Sequence, residues 1–235
     1  MEISCAGKVA VVAGGTGGLG NAVSLAFLDE GAKVVVPYRS EKAFAELESA
    51  AAGRESQLIG RPLDVLDEAA VGRFVEEIGR IDVLVNTVGA YIGGAELWKL
   101  APADFDRMLD LNLRTGYLLA RATVPGMLKR GQGAVVNVSA KAALDHGAGA
   151  SAYAASKAAA LAMMNSLAAE TRGTGVRVNS VLPSIIDTKI NREAMPDAKF
   201  DAWPKPEDIA KVILFLASDA AKVVHGAAVT VYGDS

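Results

Sequence analysis

Cysteine is almost absent from this chain of 235 residues, in which Cys5 is the only one. No internal disulfide can form, and that is typical of proteins from a reducing compartment, so a cytoplasmic location is expected. An excess of basic residues is also lacking, because the net charge is −3 at pH 7. This balance disfavours a nucleic-acid partner.

Long apolar runs are missing as well. No uninterrupted stretch reaches the roughly 18 residues that a membrane span needs, so no membrane association is predicted. The first strand-like run already begins at Lys8, which leaves no room for a signal peptide. No metal site is predicted either. What the chain does have is 51% hydrophobic residues, enough for a sizeable core.

Short apolar runs alternate with longer helical patterns along the chain. The runs are rich in β-branched residues and apolar on both faces, as in parallel strands that helices cover on each side. They span 8–13, 33–36, 57–60, 81–85, 134–138, 176–182 and 227–231, and the helical segments span 18–30, 41–52, 67–78, 102–130, 151–172 and 206–218. The alternation predicts an α/β fold, a Rossmann-type doubly wound parallel sheet of about seven strands. Residues 1–235 are predicted to form a single domain, in which the aperiodic segment 184–204 is a substrate loop.

A glycine-rich turn lies between the first predicted strand and the first predicted helix, where residues 13–20 read A-G-G-T-G-G-L-G. Glycines allow a tight turn and a close approach to a diphosphate, and the helix N-terminus offers free N–H groups to the phosphates. The turn matches two dinucleotide-binding spacings, but a purely structural turn would look similar. The residues predicted to bind the cofactor here are Gly14, Thr16, Gly17, Gly18, Leu19 and Gly20.

The end of the second predicted strand bears on the choice of nucleotide. An acidic residue at this point would hold the ribose hydroxyls of NAD, but the sequence has Arg39 and Ser40 instead. An arginine suits the extra phosphate of NADP. NADP is therefore the predicted cofactor and NAD the alternative. Arg39 could also be an ordinary solvated arginine at the tip of a loop.

Tyr153 and Lys157 are four residues apart at the start of a predicted helix, so their side chains lie on one face. A nearby ammonium favours the phenolate of a tyrosine, and such a pair could exchange a proton with a substrate oxygen. An exposed helical pair without function is the alternative interpretation.

Three further polar residues lie where chemistry is expected. Ser139 and Asn86 each follow a predicted strand, on the side where open α/β sheets bind ligands. Ser139 could hydrogen-bond a substrate oxygen, or it could simply cap a turn. Asn112 lies inside the long segment 102–130, and the interior of a helix is unfavourable for asparagine. A helix distortion, a hydrogen-bond relay or a solvated surface position would each explain it.

Taken together, these residues resemble the compact short-chain dehydrogenases/reductases over residues 8 to about 233. The resemblance implies a catalytic tetrad of Asn112, Ser139, Tyr153 and Lys157. It also implies cofactor contacts from Asp64, Val65, Asn86, Gly89, Pro183, Ile186 and Thr188, besides Tyr153, Lys157 and the turn. The sequence departs from the family pattern at Ala13, Thr87, Val88 and Ser184, and Gly17 replaces a basic residue that many NADP-preferring members carry.

The resemblance also implies an activity, the interconversion of a ketone or 3-oxoacyl group and a secondary alcohol by hydride transfer. In this scheme Tyr153 supplies the proton, Lys157 lowers its pKa and binds the nicotinamide ribose, Ser139 positions the carbonyl, and Asn112 holds a water. The rival interpretations are a catalytically silent dinucleotide sensor or scaffold and, among enzymes, a sugar-nucleotide epimerase, for which 235 residues leave little room.

The expected partners are a small, lipophilic substrate and further copies of the chain, as a homotetramer or homodimer. The predicted pocket residues are mostly apolar, although the last three of them could merely pin the loop to the core. They are Ala90, Tyr91, Ile92, Lys141, Leu144, Ile185, Ile186, Met195, Phe200 and Trp203.

Overall fold

Seven parallel strands form a single sheet in the computed structural model, which describes residues 3–235. The strand order is β3-β2-β1-β4-β5-β6-β7. The strands are β1 (Val9–Ala13), β2 (Lys33–Tyr38), β3 (Leu58–Pro62), β4 (Val83–Asn86), β5 (Gly133–Val138), β6 (Val176–Pro183) and β7 (Ala228–Val231). The predicted Rossmann-type sheet is confirmed, and each predicted strand is present with its ends shifted by a few residues.

Eight α-helices accompany the sheet in the described residues. They are α1 (Gly18–Asp29), α2 (Glu41–Ala50), α3 (Glu68–Ile78), α4 (Pro102–Leu109), α5 (Thr115–Arg130), α6 (Ser151–Glu170), α7 (Lys189–Ala194) and α8 (Pro206–Ala217). One buried cluster joins one face of the sheet to α1 and α8, and a second joins the other face to α3, α5 and α6. Both faces of the strands are therefore covered, which explains their nearly continuous apolar runs. None of the helices in residues 3–235 has the length and apolar character needed to cross a membrane.

The order of the strands reverses between β1 and β4, which pair in parallel with Ala13 opposite Asn86. Chain connections leave these two strands in opposite directions across the sheet, so a crevice opens beyond their carboxyl ends. The loops that follow β1, β4, β5 and β6 all emerge on this side, where the site predicted from the sequence is expected.

The long helical segment predicted over 102–130 is interrupted. A π-helical turn, Asp110–Arg114, separates α4 from α5 and contains Asn112. Because a π turn has wider hydrogen-bond spacing, it re-aims the side chains that it carries. The distortion predicted at Asn112 is therefore present.

The segment 184–204 contains regular structure that its sequence did not reveal, because α7 has only six residues. The Arg192 guanidinium lies 4.8 Å from the centre of the Phe200 ring, which packs edge-on against Trp203 at 5.1 Å. Trp203 is buried, and the Asp187 amide donates to the Pro204 carbonyl at 3.0 Å. For Phe200 and Trp203 these contacts support the interpretation that they pin the loop.

Candidate active site

The glycine-rich turn is packed so tightly that side chains are excluded from it. Gly14 has a φ of +79°, and a Cβ on Gly20 would overlap the Gly14 carbonyl oxygen. Gly17 is the N-cap of α1 and has no side chain to cap it, and the first turn of α1 carries no acidic residue. The first N–H groups of α1 are therefore available to a diphosphate, and this geometry fits a dinucleotide.

The turn is close to two other loops at the crevice. The Thr87 hydroxyl donates to the Ala13 carbonyl at 2.9 Å, and a Cβ on Gly18 would lie 2.8 Å from Cγ2 of Thr188. The loops after β1, β4 and β6 thus meet at the crevice. Thr16 is half-buried beside them, whereas the Leu19 side chain lies in the core. Only the backbone of Leu19 is placed for a cofactor.

The loops after β2 and β3 form the outer end of the crevice. Arg39 is exposed there, while the Ser40 hydroxyl caps α2 by accepting from the Ala43 amide at 3.2 Å. The Asp64 carboxylate accepts from the Leu66 amide at 3.0 Å, which shapes the turn that also contains Val65. These predicted residues lie on neighbouring strand ends.

Asn86 is the last residue of β4 and Gly89 lies in the loop that follows, and the two differ in their surroundings. The Asn86 side chain is buried, where it donates to Oδ1 of Asn137 at 3.0 Å and accepts from the Val88 amide at 3.2 Å. Gly89 is exposed, and a Cβ there would lie 2.8 Å from Oδ1 of Asn112 and 3.0 Å from Nζ of Lys157. Asn86 therefore shapes the loop, and Gly89 leaves the polar groups beneath it accessible.

Asn112 clamps the loop after β4. Its Oδ1 accepts from the Ala90 amide at 2.9 Å, and its Nδ2 donates to the Ala90 carbonyl at 3.0 Å and lies 3.0 Å from the Ser156 hydroxyl. The Ser156 hydroxyl donates in turn to the Tyr153 carbonyl at 2.8 Å. Ser156 was not predicted as a site residue, although its position on α6 between Tyr153 and Lys157 indicates that it lies near them.

Lys157 is buried and Tyr153 half-buried on α6. The Lys157 ammonium donates to the Val138 carbonyl at 3.2 Å, and burial lowers the pKa of Lys157 to about 8. Burial, reinforced by the neighbouring Tyr91, raises the pKa of Tyr153 to about 12. The pKa of Tyr153 is therefore raised, and not lowered as the sequence predicted, because burial removes the phenolate from water.

Ser139 lies in a different environment from the one expected of a substrate-binding serine. Its side chain is only 3% exposed, and its hydroxyl donates to the Lys157 carbonyl at 2.9 Å. A hydroxyl has one proton to donate, and here that proton holds the end of β5 against α6. The next residue, Ala140, is buried and has no polar side chain.

The three residues predicted at and after the end of β6 lie on the remaining side of the crevice. Pro183 ends the strand and is buried. The Ile186 carbonyl accepts from the Asn191 side chain at 2.8 Å, and the Thr188 hydroxyl caps α7 by accepting from the Asn191 amide at 3.3 Å. These contacts hold the loop beside Gly18 of the turn.

The comparisons with known proteins agree with this geometry. The model of the short chain dehydrogenase family matches residues 8–199, most of the chain. This chain is a short-chain dehydrogenase. The predicted class, an NAD(P)-dependent oxidoreductase of alcohol and ketone groups, is confirmed by this membership.

Two curated relatives and one solved structure illustrate how this short-chain dehydrogenase compares. It is 34% identical to the 3-oxoacyl-[acyl-carrier-protein] reductase FabG of Thermotoga maritima, with 97% of each chain covered. It is 35% identical to the D-threitol dehydrogenase of Mycolicibacterium smegmatis, with 97% of this chain and 92% of the relative covered. A structure of ElxO with NADP bound superposes with a TM-score of 0.89 at 26% identity, covering 96% of this chain and 97% of the other.

Proposed function

We propose that this short-chain dehydrogenase reduces a ketone or 3-oxoacyl group to a secondary alcohol, and catalyses the reverse oxidation, with Tyr153 as the proton donor and acceptor. The observation that carries the proposal is the position of the Lys157 amine, which underlies Gly89 at the crevice lined by the glycine turn. Tyr153 lies on the same face of α6, one helical turn earlier. A proton-transfer group and a cofactor-binding surface thus meet beyond the ends of β1 and β4.

The proton step follows from the properties of these side chains. With a pKa raised to about 12, Tyr153 is a neutral phenol at pH 7 and can donate its proton. NADP(H) supplies or accepts the hydride when it is bound. During reduction the carbonyl π bond breaks, the Tyr153 proton bonds to the oxygen, and a phenolate remains. The Lys157 ammonium stabilises that phenolate, and in the proposed tetrad Asn112 fixes the loop above it.

Ser139 is the member of the proposed tetrad that the geometry supports least. It could bind the substrate oxygen only after its hydroxyl left the Lys157 carbonyl. Its hydrogen bond instead supports a role in holding α6 against β5, which keeps Tyr153 and Lys157 at the crevice.

The proposed cofactor-binding residues favour NADP. Arg39 is exposed at the end of β2, free of the acidic neighbour that would bind a ribose hydroxyl. ElxO, a similar structure, holds NADP. Replacing Arg39 by alanine should therefore weaken NADPH binding about tenfold and leave NADH binding nearly unchanged, as measured by fluorescence titration. Equal losses for both nucleotides would contradict this assignment.

The proposed substrate is lipophilic, and 184–204 is its proposed binding loop within the one domain. Exposed apolar side chains follow three neighbouring strands, with Tyr91 after β4, Leu144 after β5, and Ile185 and Ile190 after β6. Large exposed side chains of this kind mark ligand-binding surfaces. A 3-oxoacyl group, which the name of the FabG relative includes, fits this surface.

Self-association through α4, α5 and α6 is also proposed, as a homotetramer or homodimer. Phe105 on α4 and Leu128 on α5 are partly exposed, and the small residues Ala155 and Ala162 face outward on α6. Sedimentation of the purified chain tests this directly. A cytoplasmic location is proposed from the single, buried Cys5.

The function is tested by following the loss of NADPH and NADH absorbance with ketones, 3-oxoesters and 3-oxoacyl thioesters. Turnover of at least one class, with secondary alcohols oxidised in reverse, supports the proposal. Nucleotide binding without any turnover would favour a silent sensor, and the absence of binding would refute the assignment of the glycine turn.

A further inference from the structure

The proposed reaction assigns no hydrogen-bond donor to a second oxygen of the substrate. Tyr153 provides one hydroxyl to the reacting carbonyl, and a substrate that carries a second oxygen needs a further donor to fix its orientation. Ser139 does not offer that donor, because its proton is committed to the Lys157 carbonyl at 2.9 Å. A donor to a second substrate oxygen would therefore come from another side chain near Tyr153.

Tyr91 is the hydroxyl-bearing side chain that packs on Tyr153. Their ring centres are 5.0 Å apart with an interplanar angle of 77°. Tyr91 is 64% exposed, so its side chain is accessible to a ligand. The electrostatic influence of Tyr91 on the pKa of Tyr153 is consistent with this proximity.

Two features hold Tyr91 in this place. Asn112 binds both the amide and the carbonyl of Ala90, the preceding residue, and thus fixes the backbone from which Tyr91 projects. Gly93 makes room for the Tyr91 hydroxyl, because a Cβ at Gly93 would overlap it. Asn112 and Gly93 together hold the exposed Tyr91 beside Tyr153.

We propose that Tyr91 is a specificity-determining residue whose hydroxyl binds a second oxygen of the substrate, next to the carbonyl that Tyr153 protonates. The substrates that gain from this arrangement are 1,3-dicarbonyl compounds, such as 3-oxoesters and 3-oxothioesters. A simple ketone has no second acceptor and gains nothing. This inference rests on the proposed reductase function and narrows its substrate class.

The test compares Tyr91→Phe with the unmodified protein on two substrates of equal chain length, ethyl 3-oxobutanoate and 2-heptanone. Loss of one neutral hydrogen bond should lower kcat/KM for the oxoester about tenfold, mainly through KM, and leave the ketone nearly unchanged. A merely structural tyrosine would affect both substrates equally. Equal losses, or no loss with either substrate, would overturn the proposal.

Gly93→Ala provides a second variant, which keeps the hydroxyl but displaces it. It should reproduce the selective loss on the oxoester without lowering the melting temperature. Gly147→Ala is the matched control, because a Cβ there meets nothing within 4 Å. If Gly93→Ala behaves like Gly147→Ala, the placement of the hydroxyl is wrong. If the unmodified protein reduces neither substrate nor any other carbonyl compound, the proposed function itself fails, which is a different result.

Discussion

Lys157 carries a positive charge in a place that largely excludes water. Its side chain is 5% exposed, and its ammonium donates to the Val138 carbonyl at 3.2 Å. None of the ion pairs in residues 3–235 includes it. Replacing Lys157 by methionine, which has a similar shape and no charge, is expected to stabilise the fold while abolishing catalysis.

The size of the gain follows from the pKa. Burial lowers the pKa of Lys157 from 10.5 to about 8, which corresponds to roughly 3 kcal/mol of destabilisation at neutral pH. Losing the hydrogen bond to Val138 costs about 1 kcal/mol. The net gain of about 2 kcal/mol should raise the melting temperature by roughly 4–8 °C in a chain of this size.

The stability that Lys157→Met gains over the unmodified protein depends on pH. The pKa of Lys157 is lower in the folded than in the unfolded state, so the unfolded state binds more protons between about pH 8 and pH 10.5. The stability of the unmodified protein rises with pH in that window, and the advantage of Lys157→Met shrinks there. Below about pH 8 the advantage is constant.

Thermal and denaturant unfolding at fixed protein concentration measure this difference, with Lys129→Met as the control at an exposed lysine. The control should change the free energy of unfolding by less than about 0.5 kcal/mol. The reasoning is refuted if Lys157→Met is less stable at pH 7, or if its advantage does not diminish above pH 8.

Three other substitutions test separate parts of the structure. Asn112→Ala leaves both backbone groups of Ala90 without their clamp, so it should cost about 2 kcal/mol of stability and lower kcat/KM; unchanged thermal unfolding would contradict the clamp. Gly20→Ala places a Cβ against the Gly14 carbonyl and should weaken NADPH binding at least about tenfold; an unchanged Kd in a fluorescence titration would contradict that. Gly72→Ala lies within α3 with nothing near the added Cβ, and it should raise stability by about 0.5–1 kcal/mol in urea unfolding.

The sheet was predictable because its strands carry a local signal. Runs such as that of β5 are β-branched and buried on both faces, and the turns between elements contain glycine or a helix-capping residue. The glycine turn and the Tyr153–Lys157 pair were found for the same reason, since their spacing is local. Asn112 was found as an anomaly, a poor helix former in a long helical pattern.

The remaining features depend on contacts between distant segments. The sequence places Ser139 at the end of a strand, but only the fold shows that its proton goes to Lys157. The pKa of Tyr153 depends on burial, which the local spacing does not contain. The helix α7 is too short for a periodic pattern, and it is held by its neighbours, including the ion pair between Arg192 and Asp187.

The proton donor is the centre of this account, and Tyr153→Phe tests it most directly. The substitution removes one hydroxyl and keeps the ring, and Tyr117→Phe, at an exposed tyrosine on α5, is the matched control. With the best substrate of the panel, Tyr153→Phe should lower kcat about a thousandfold, keep its affinity for NADPH, and contrast with a fully active Tyr117→Phe. Turnover by Tyr153→Phe within a few-fold of the unmodified protein would contradict the assignment of Tyr153 as the proton donor.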